Sequence, residues 1–171
     1  VSNTGCPICA KGSQTSFPEK VITFYLKKAF SEVYSNYFPA FMNGLELDIY
    51  IPSINVAIEY DGEKWHTDAK KDIKKDNIAK ENGITLYRIR EPKCPNIESS
   101  SKIITLDNKK VLAPAIEKLF NHLADDGFLE QAKIPKINIE IDRSLIFSES
   151  NFCEAKNSIE NSSFVNEWDY E

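Results

Sequence analysis

The stretches LELDIYI (residues 45–51) and VAIEYDG (residues 56–62) decide the fold of this chain. In the first stretch apolar and polar side chains alternate strictly, which predicts a half-buried β-strand. Pro and Ser at 52–53 supply a turn, and the second stretch alternates in the same way on its return. The sequence therefore predicts a hairpin whose polar face carries four carboxylates: Glu46, Asp48, Glu59 and Asp61.

Helical signals lie on both sides of this hairpin. SFPE at residues 16–19 is a capping box with proline in the first turn, and it predicts a helix over residues 17–30. Thr67 or Asp68 can cap a charged helix that runs to Asn82, with Gly83 just past its end. Further patterns predict a strand over 84–90, a helix over 114–124 with an apolar stripe of Ile116, Leu119, Phe120 and Leu123, and a short strand over 137–141.

Composition narrows the class of protein. The chain has 171 residues, 42% of them hydrophobic and 27% charged, which indicates one globular domain with small attachments. No apolar stretch approaches the length of about 18 residues that a membrane helix needs. No secretory signal is visible, so we expect a cytoplasmic protein. The net charge of −5 lies in the C-terminal half, because acidic and basic residues balance between 17 and 93.

The carboxylates of the hairpin point to a cation. Acidic side chains that face each other across two strands repel unless a positive group lies between them. Mg²⁺ prefers one or two carboxylates plus water and phosphate oxygens, and it can orient a water for phosphodiester hydrolysis. Asp48, Glu59 and Asp61 suit that role. The alternative is a solvent-facing strand that merely carries charge, and the adjacent Trp65 and His66 favour a site instead.

These motifs together resemble a known family. ELDIYIP at 46–52 and AIEYDG at 57–62, followed by Trp65-His66, look like the PD-(D/E)xK nuclease superfamily, closest to the branch of very-short-patch-repair endonucleases. The downstream DIKKD at 72–76, with Lys75 where relatives often have Arg, continues the resemblance, which spans residues 16 to about 93. It implies an α/β, restriction-endonuclease-like core with a central mixed β-sheet flanked by helices.

The resemblance also implies an activity and roles for single residues. The expected protein is a DNA endonuclease that uses Mg²⁺ or Mn²⁺ and no small-molecule cofactor. Asp48 is the implied first metal ligand, Glu59 the second and the Tyr60 carbonyl a third. Glu19 supports the metal or a water, or is simply the capping-box partner. Asp61 stands where the superfamily has lysine, which leaves open the group that positions or deprotonates the attacking water.

Two residues beside the hairpin have alternative interpretations. His66 suits a base or a leaving-group acid, because its ordinary pKa lies near neutrality, or it is structural. Trp65 stacks on a nucleic-acid base or packs in the core, and core packing is the favoured interpretation. His122, on the apolar C-terminal helix, is interpreted as structural.

Basic residues follow the hairpin. The lysine-rich face of the helix at 68–82 can bind a phosphate backbone, although the interleaved aspartates at 68, 72 and 76 weaken its positive electrostatic field. Arg88 and Arg90 project from the same side of their strand, toward the site or into a pair with Glu91 or another carboxylate. The predicted nucleic-acid contacts of the helix are Lys70, Lys71, Lys74 and Lys75, with Lys80 on the same side.

The ends of the chain differ from its middle. Cys6 and Cys9 have the spacing of half a zinc knuckle, so residues 1–15 are interpreted as the end of a zinc ribbon or a linker. The nuclease domain is expected over 16–143, and the polar tail at 144–171 resembles the start of another ribbon. Zn²⁺ is thus expected in a longer parent protein; completion of the site by Cys94 or Cys153 is less favoured.

The leading hypothesis is a metal-dependent DNA endonuclease that hydrolyses phosphodiester bonds in repair, restriction or a mobile element. The alternative is a catalytically inactive nucleic-acid-binding or adaptor module with the same fold. An enzyme acting on RNA or on another phosphate ester stays open, as does the oligomeric state.

Overall fold

The computed structural model describes residues 15–109 and 111–131. It contains a five-stranded sheet, three α-helices and two short 3₁₀ segments, at Ala40–Met42 and Phe128–Gln131. In chain order the main elements are α1 (Phe17–Ala29), β1 (Tyr34–Tyr37), β2 (Leu47–Ile51), β3 (Val56–Asp61), α2 (Ala69–Glu81), β4 (Thr85–Arg90), β5 (Lys102–Thr105) and α3 (Ala113–Asp125).

The sheet has the order β1-β2-β3-β4-β5. The β1–β2 and β2–β3 pairs are antiparallel, whereas the β3–β4 and β4–β5 pairs are parallel. The predicted α/β fold with a central mixed sheet flanked by helices is therefore confirmed. β3 is the middle strand, so its side chains are covered on both faces.

The helices begin and end where local chemistry dictates. The Ser16 hydroxyl accepts the backbone N–H of Glu19 at the start of α1, and the Asp68 carboxylate accepts that of Lys70 at the start of α2. After α2, Gly83 takes φ +70°, which lets the Ile84 N–H reach the Ala79 carbonyl at 2.9 Å. The predicted caps are confirmed.

Two apolar cores lie on opposite faces of the sheet. The larger packs α1 and α3 against the sheet and includes Ile22, Ile58 and Leu119. The smaller lies under α2 and includes Ala57 and Ala79. The predicted apolar stripe of α3 is buried, in agreement with its helical spacing. It consists of Ile116, Leu119, Phe120 and Leu123. His122 lies beside Tyr87, with ring centroids 6.4 Å apart.

Several local details differ from the predictions. β2, predicted to be half-buried, is buried at every residue except Asp48. β3 is buried along its whole length, because α2 covers the face that carries its carboxylates. The hairpin turn takes four residues, 52–55, and Asn55 adopts φ 53°. β1 and β5 were not predicted, since each is only four residues long. The strand predicted at 137–141 lies outside the described residues.

Within the described residues no helix is both long and apolar enough to cross a bilayer.

Candidate metal centre

The pairing of β2 with β3 ends where two acidic residues, Asp48 and Glu59, stand on the two strands. The last paired residues before them are Ile49 and Ile58. Beyond that pair the carboxylates replace the missing backbone bonds: Glu59 Oε1 accepts the Asp48 N–H at 3.2 Å, and Asp48 Oδ2 accepts the Tyr60 N–H at 3.0 Å. One oxygen of each carboxylate is thus fixed by the backbone, and Glu59 is only 1% exposed.

A lysine from α2 reaches both acids. Lys75 Nζ donates to Glu59 Oε2 and lies 3.9 Å from Asp48 Oδ1. Its side chain is 16% exposed, so in this structure it faces the sheet rather than solvent. Lys75 was predicted to contact a nucleic-acid phosphate, but in this structure its ammonium group contacts carboxylates. The ammonium group that β3 lacks is supplied by the helix instead.

Glu19 is the capping-box partner of Ser16, one of its two predicted roles. Its carboxylate accepts the Ser16 hydroxyl at 2.5 Å and the Ser16 backbone N–H, which completes the capping box. It also lies within electrostatic range of Glu59 and Glu46: burial raises the pKa of Glu19, and these two carboxylates raise it further. We name the set Glu19, Asp48, Glu59 and Lys75 the carboxylate–lysine cluster.

The carboxylate–lysine cluster carries more negative than positive charge. Burial raises the pKa of Asp48 to about 6, against the opposing effect of Lys75. Burial and the charge of Asp48 raise the pKa of Glu59 to about 7. Three carboxylates face one ammonium, so two negative charges lack a partner when all are ionised. A divalent cation fits this donor set in both charge and ligand type.

A second set of buried charges adjoins the first. Arg88 Nη1 donates to Asp61 Oδ1 at 2.7 Å, and its Nε and Nη2 donate to Asp76 Oδ1 at 2.9 and 2.6 Å. Arg90 Nη1 donates to Asp61 Oδ2 and, at 3.4 Å, to Asp72 Oδ2. We call these residues, with His66, the arginine network: Asp61, His66, Asp72, Asp76, Arg88 and Arg90.

The arginines do not face solvent. Arg88 is 0% exposed and Arg90 is 3% exposed. The predicted contact of these two residues with nucleic acid is wrong for this structure, because their guanidinium groups are held by carboxylates. The alternative prediction, pairing with an acidic side chain, is correct, although the partners are on β3 and α2 rather than Glu91.

Asp61 belongs to the arginine network and not to the opening of the hairpin. Both of its carboxylate oxygens are bonded to arginine, and its carbonyl accepts the Glu91 N–H at 3.0 Å. Burial raises the pKa of Asp61, and Arg88 opposes that shift. In this structure Asp61 is an ion-pair partner of Arg88 and Arg90, and its predicted catalytic role stays a prediction.

His66 is held at one ring nitrogen. Its Nδ1 lies 2.9 Å from Asp72 Oδ1 and 3.3 Å from Asp61 Oδ1. Burial opposes protonation of the ring, but the bond to Asp72 and the charge of Asp61 outweigh it and raise the pKa of His66. The turn before it is fixed by the Gly62 carbonyl, which accepts the N–H of Trp65 and of His66.

Ligand atoms of Asp61, His66 and Asp72 lie within 4.8 Å of one another, a spacing that can hold a metal ion. Arg88 and Arg90 already donate to these aspartates, however, and a metal ion would have to displace them or bear their repulsion. The carboxylate–lysine cluster is therefore the better candidate for a metal.

Exposed aromatic and basic side chains lie on the turn before α2 and on its outer face. Trp65 is 86% exposed, so the favoured interpretation as a core residue was wrong. Asp72 and Asp76 are turned inward and buried, and thus do not screen the outer face of α2 as the sequence suggested. The lysines predicted to contact nucleic acid and found exposed on this face are Lys70, Lys71 and Lys74.

Sequence reasoning missed the inner face of α2. Asp72, Lys75 and Asp76 are spaced by three and four residues, followed by Ala79, which places all four on one side of a helix. That spacing was a usable signal, but it was interpreted as an interrupted basic surface. Cys6 and Cys9 lie outside the described residues.

No family model, curated protein or solved structure that was compared with this chain matched it.

Proposed function

We propose that this chain is a metal-dependent endodeoxyribonuclease of the PD-(D/E)xK type. The observation that carries the proposal is the carboxylate–lysine cluster, in which one buried and two half-buried carboxylates face a single ammonium group where the β2–β3 pairing ends. Such an excess is costly to bury unless a cation is recruited.

Asp48, Glu59 and the Tyr60 carbonyl would hold the ion. The Tyr60 N–H points toward β2, where Asp48 accepts it. Since the N–H and C=O of a strand residue project to the same edge, the Tyr60 carbonyl is directed into the same opening. When bound, Mg²⁺ or Mn²⁺ supplies a polarised water and stabilises charge on the phosphate oxygens.

Lys75 is the residue best placed to orient the attacking water or the scissile phosphate. It lies at the two acids, where the motif of β3 provides only Asp61. The absent lysine was the argument for a catalytically inactive module, and Lys75 on α2 weakens that argument.

His66 is suited to protonate the leaving oxygen. Asp72 and Asp61 occupy its Nδ1, and hydrogen bonds to this ring within the described residues are all at that nitrogen. Nε2 is then the atom that can give a proton to substrate. The raised pKa of His66 favours the protonated ring, which suits the acid better than the base. Asp72 is its positioning residue.

DNA is the proposed substrate because Trp65 and lysines of α2 are exposed. Trp65 offers an exposed aromatic face for stacking, and the outer lysines of α2 offer charges for phosphates. Zinc ribbons formed through Cys6, Cys9 and other segments of a longer protein would add DNA affinity. RNA is the competing substrate of the same chemistry.

The test is cleavage of supercoiled plasmid, linear DNA and RNA, with Mg²⁺, Mn²⁺ or EDTA. We expect metal-dependent nicking of plasmid, and a loss of at least about 10³-fold in Asp48→Asn, since metal assistance is worth several kcal/mol. Asp107→Asn, which changes an exposed aspartate, is the matched control and should cleave like the original chain.

Cleavage in EDTA, or full cleavage by Asp48→Asn, would contradict the mechanism. Preferential cleavage of RNA would move the proposal to a ribonuclease. Binding of DNA without cleavage under any metal would favour the inactive module.

A further inference from the structure

We infer that Lys75 is an internal counterion that competes with the divalent cation for Glu59 and Asp48, and so holds metal affinity down. The inference deepens the proposed function and depends on it. It concerns the two acids that the proposed metal uses and the one ammonium beside them.

The contacts of the four carboxylate oxygens carry the argument. Glu59 Oε1 and Asp48 Oδ2 are each held by a backbone N–H. The other two oxygens, Glu59 Oε2 and Asp48 Oδ1, are the ones left for a cation. These are the oxygens that Lys75 Nζ approaches, by a direct bond to Glu59 and at 3.9 Å from Asp48.

An ion and the ammonium group cannot use these oxygens equally well at the same time. Mg²⁺ binds carboxylate oxygens at about 2.0–2.1 Å, so an ion shared by Asp48 and Glu59 would lie within a few ångströms of Lys75 Nζ. At that distance two like charges repel strongly in a poorly hydrated site. Metal entry therefore requires the ammonium to withdraw from Glu59.

The withdrawal needs movement of one side chain only. Asp72 and Asp76, which flank Lys75 on the inner face of α2, are bonded to Arg90 and Arg88. The arginine network thus anchors the helix while the flexible lysine stem changes rotamer.

The test is titration of the full-length, metal-free chain with Mn²⁺ by isothermal calorimetry, at one pH and ionic strength. Lys75→Met should bind Mn²⁺ about tenfold more tightly than the original chain, because a competing charge is removed. Lys80→Met makes the same charge change at an exposed position of α2 and should leave the affinity unchanged. Lys75→Arg retains the charge and should not bind more tightly.

Each outcome decides a different statement. If the original chain binds Mn²⁺ and Lys75→Met binds it equally or more weakly, Lys75 is no competitor and the inference is overturned. If Lys75→Met does not fold, as judged by its thermal transition, Lys75→Gln takes its place with the same expected gain. If neither the original chain nor these variants bind Mn²⁺, both this inference and the proposed function are overturned.

Discussion

The two buried charge clusters lie side by side on β3 and differ in their balance. Glu59 belongs to the carboxylate–lysine cluster, and Asp61, two residues later, belongs to the arginine network. The first has three carboxylates and one ammonium, whereas the second has three carboxylates, two guanidinium groups and an imidazole. Both are covered by α2.

The comparison shows that a count of acidic residues does not locate a metal site. Asp61, His66 and Asp72 have suitable spacing for an ion, yet their charge is already matched by protein cations. Asp48 and Glu59 have an unmatched charge. The pKa of Asp48 is raised to about 6 and that of Glu59 to about 7. Unmatched charge in a buried position, rather than acidity alone, marks the site.

The largest expected effect concerns the arginine network as a structural element. Arg88→Met leaves Asp61 and Asp76 buried without their main partner, so the free energy of unfolding should fall by about 3–5 kcal/mol. Urea denaturation measures this fall. Lys102→Met breaks a partly exposed pair with Asp126 and should cost no more than about 1 kcal/mol. A similar small cost for Arg88→Met would show that the network does not anchor α2.

An intermediate effect is expected from pH in the carboxylate–lysine cluster. The folded protein raises the pKa of Asp48 from 3.8 to about 6 and that of Glu59 from 4.5 to about 7. Protonated carboxyls therefore stabilise the fold at low pH, and this contribution is lost as pH rises through those values. In EDTA, the free energy of unfolding should fall by roughly 2 kcal/mol between pH 6 and pH 8.

Denaturation at several pH values separates the sources of that fall. Glu59→Gln should flatten most of it, and Mn²⁺ at pH 8 should restore stability to the original chain. The raised pKa of His66 acts in the same direction, and His66→Gln measures its share. If the free energy of unfolding of Glu59→Gln depended on pH as strongly as that of the original chain, the unmatched charge would not lie at Glu59.

The smallest expected effect decides whether Glu19 belongs to the carboxylate–lysine cluster or only to the cap of α1. Glu19→Gln and Ser16→Ala both weaken the capping box, so each should cost about 1 kcal/mol in thermal denaturation. Only Glu19→Gln removes a charge from the cluster, and it alone should weaken Mn²⁺ binding, by about tenfold. Equal Mn²⁺ affinities would assign Glu19 to the cap.

Local signals were sufficient for most elements of the fold. The capping box at Ser16, the cap at Asp68 and the alternation in β2 act over a few residues, and the structure has helices and a strand at those places. β1 and β5 escaped prediction because a four-residue strand has too few residues to show a period. Their positions depend on the strands beside them.

The candidate site was predictable in part. Asp48 and Glu59 were expected to face each other, and they do, with the backbone contacts described above. The roles of Lys75, Asp72 and Asp76 were not predicted, because a helix that alternates acids and lysines gives no sign of which face turns inward. Trp65 was expected in the core because tryptophan is more often buried than exposed, but its side chain is exposed.

The sequence by itself determined the hairpin, its acids and the helices around it, because those features depend on periods and caps within short segments. Only the tertiary structure decided how the charges are matched. Packing α2 on β3 and β4 brought Lys75 to Glu59 and Arg88 to Asp61, residues far apart in the chain. Pairing of buried charges depends on distance in space, and a sequence pattern does not contain that distance.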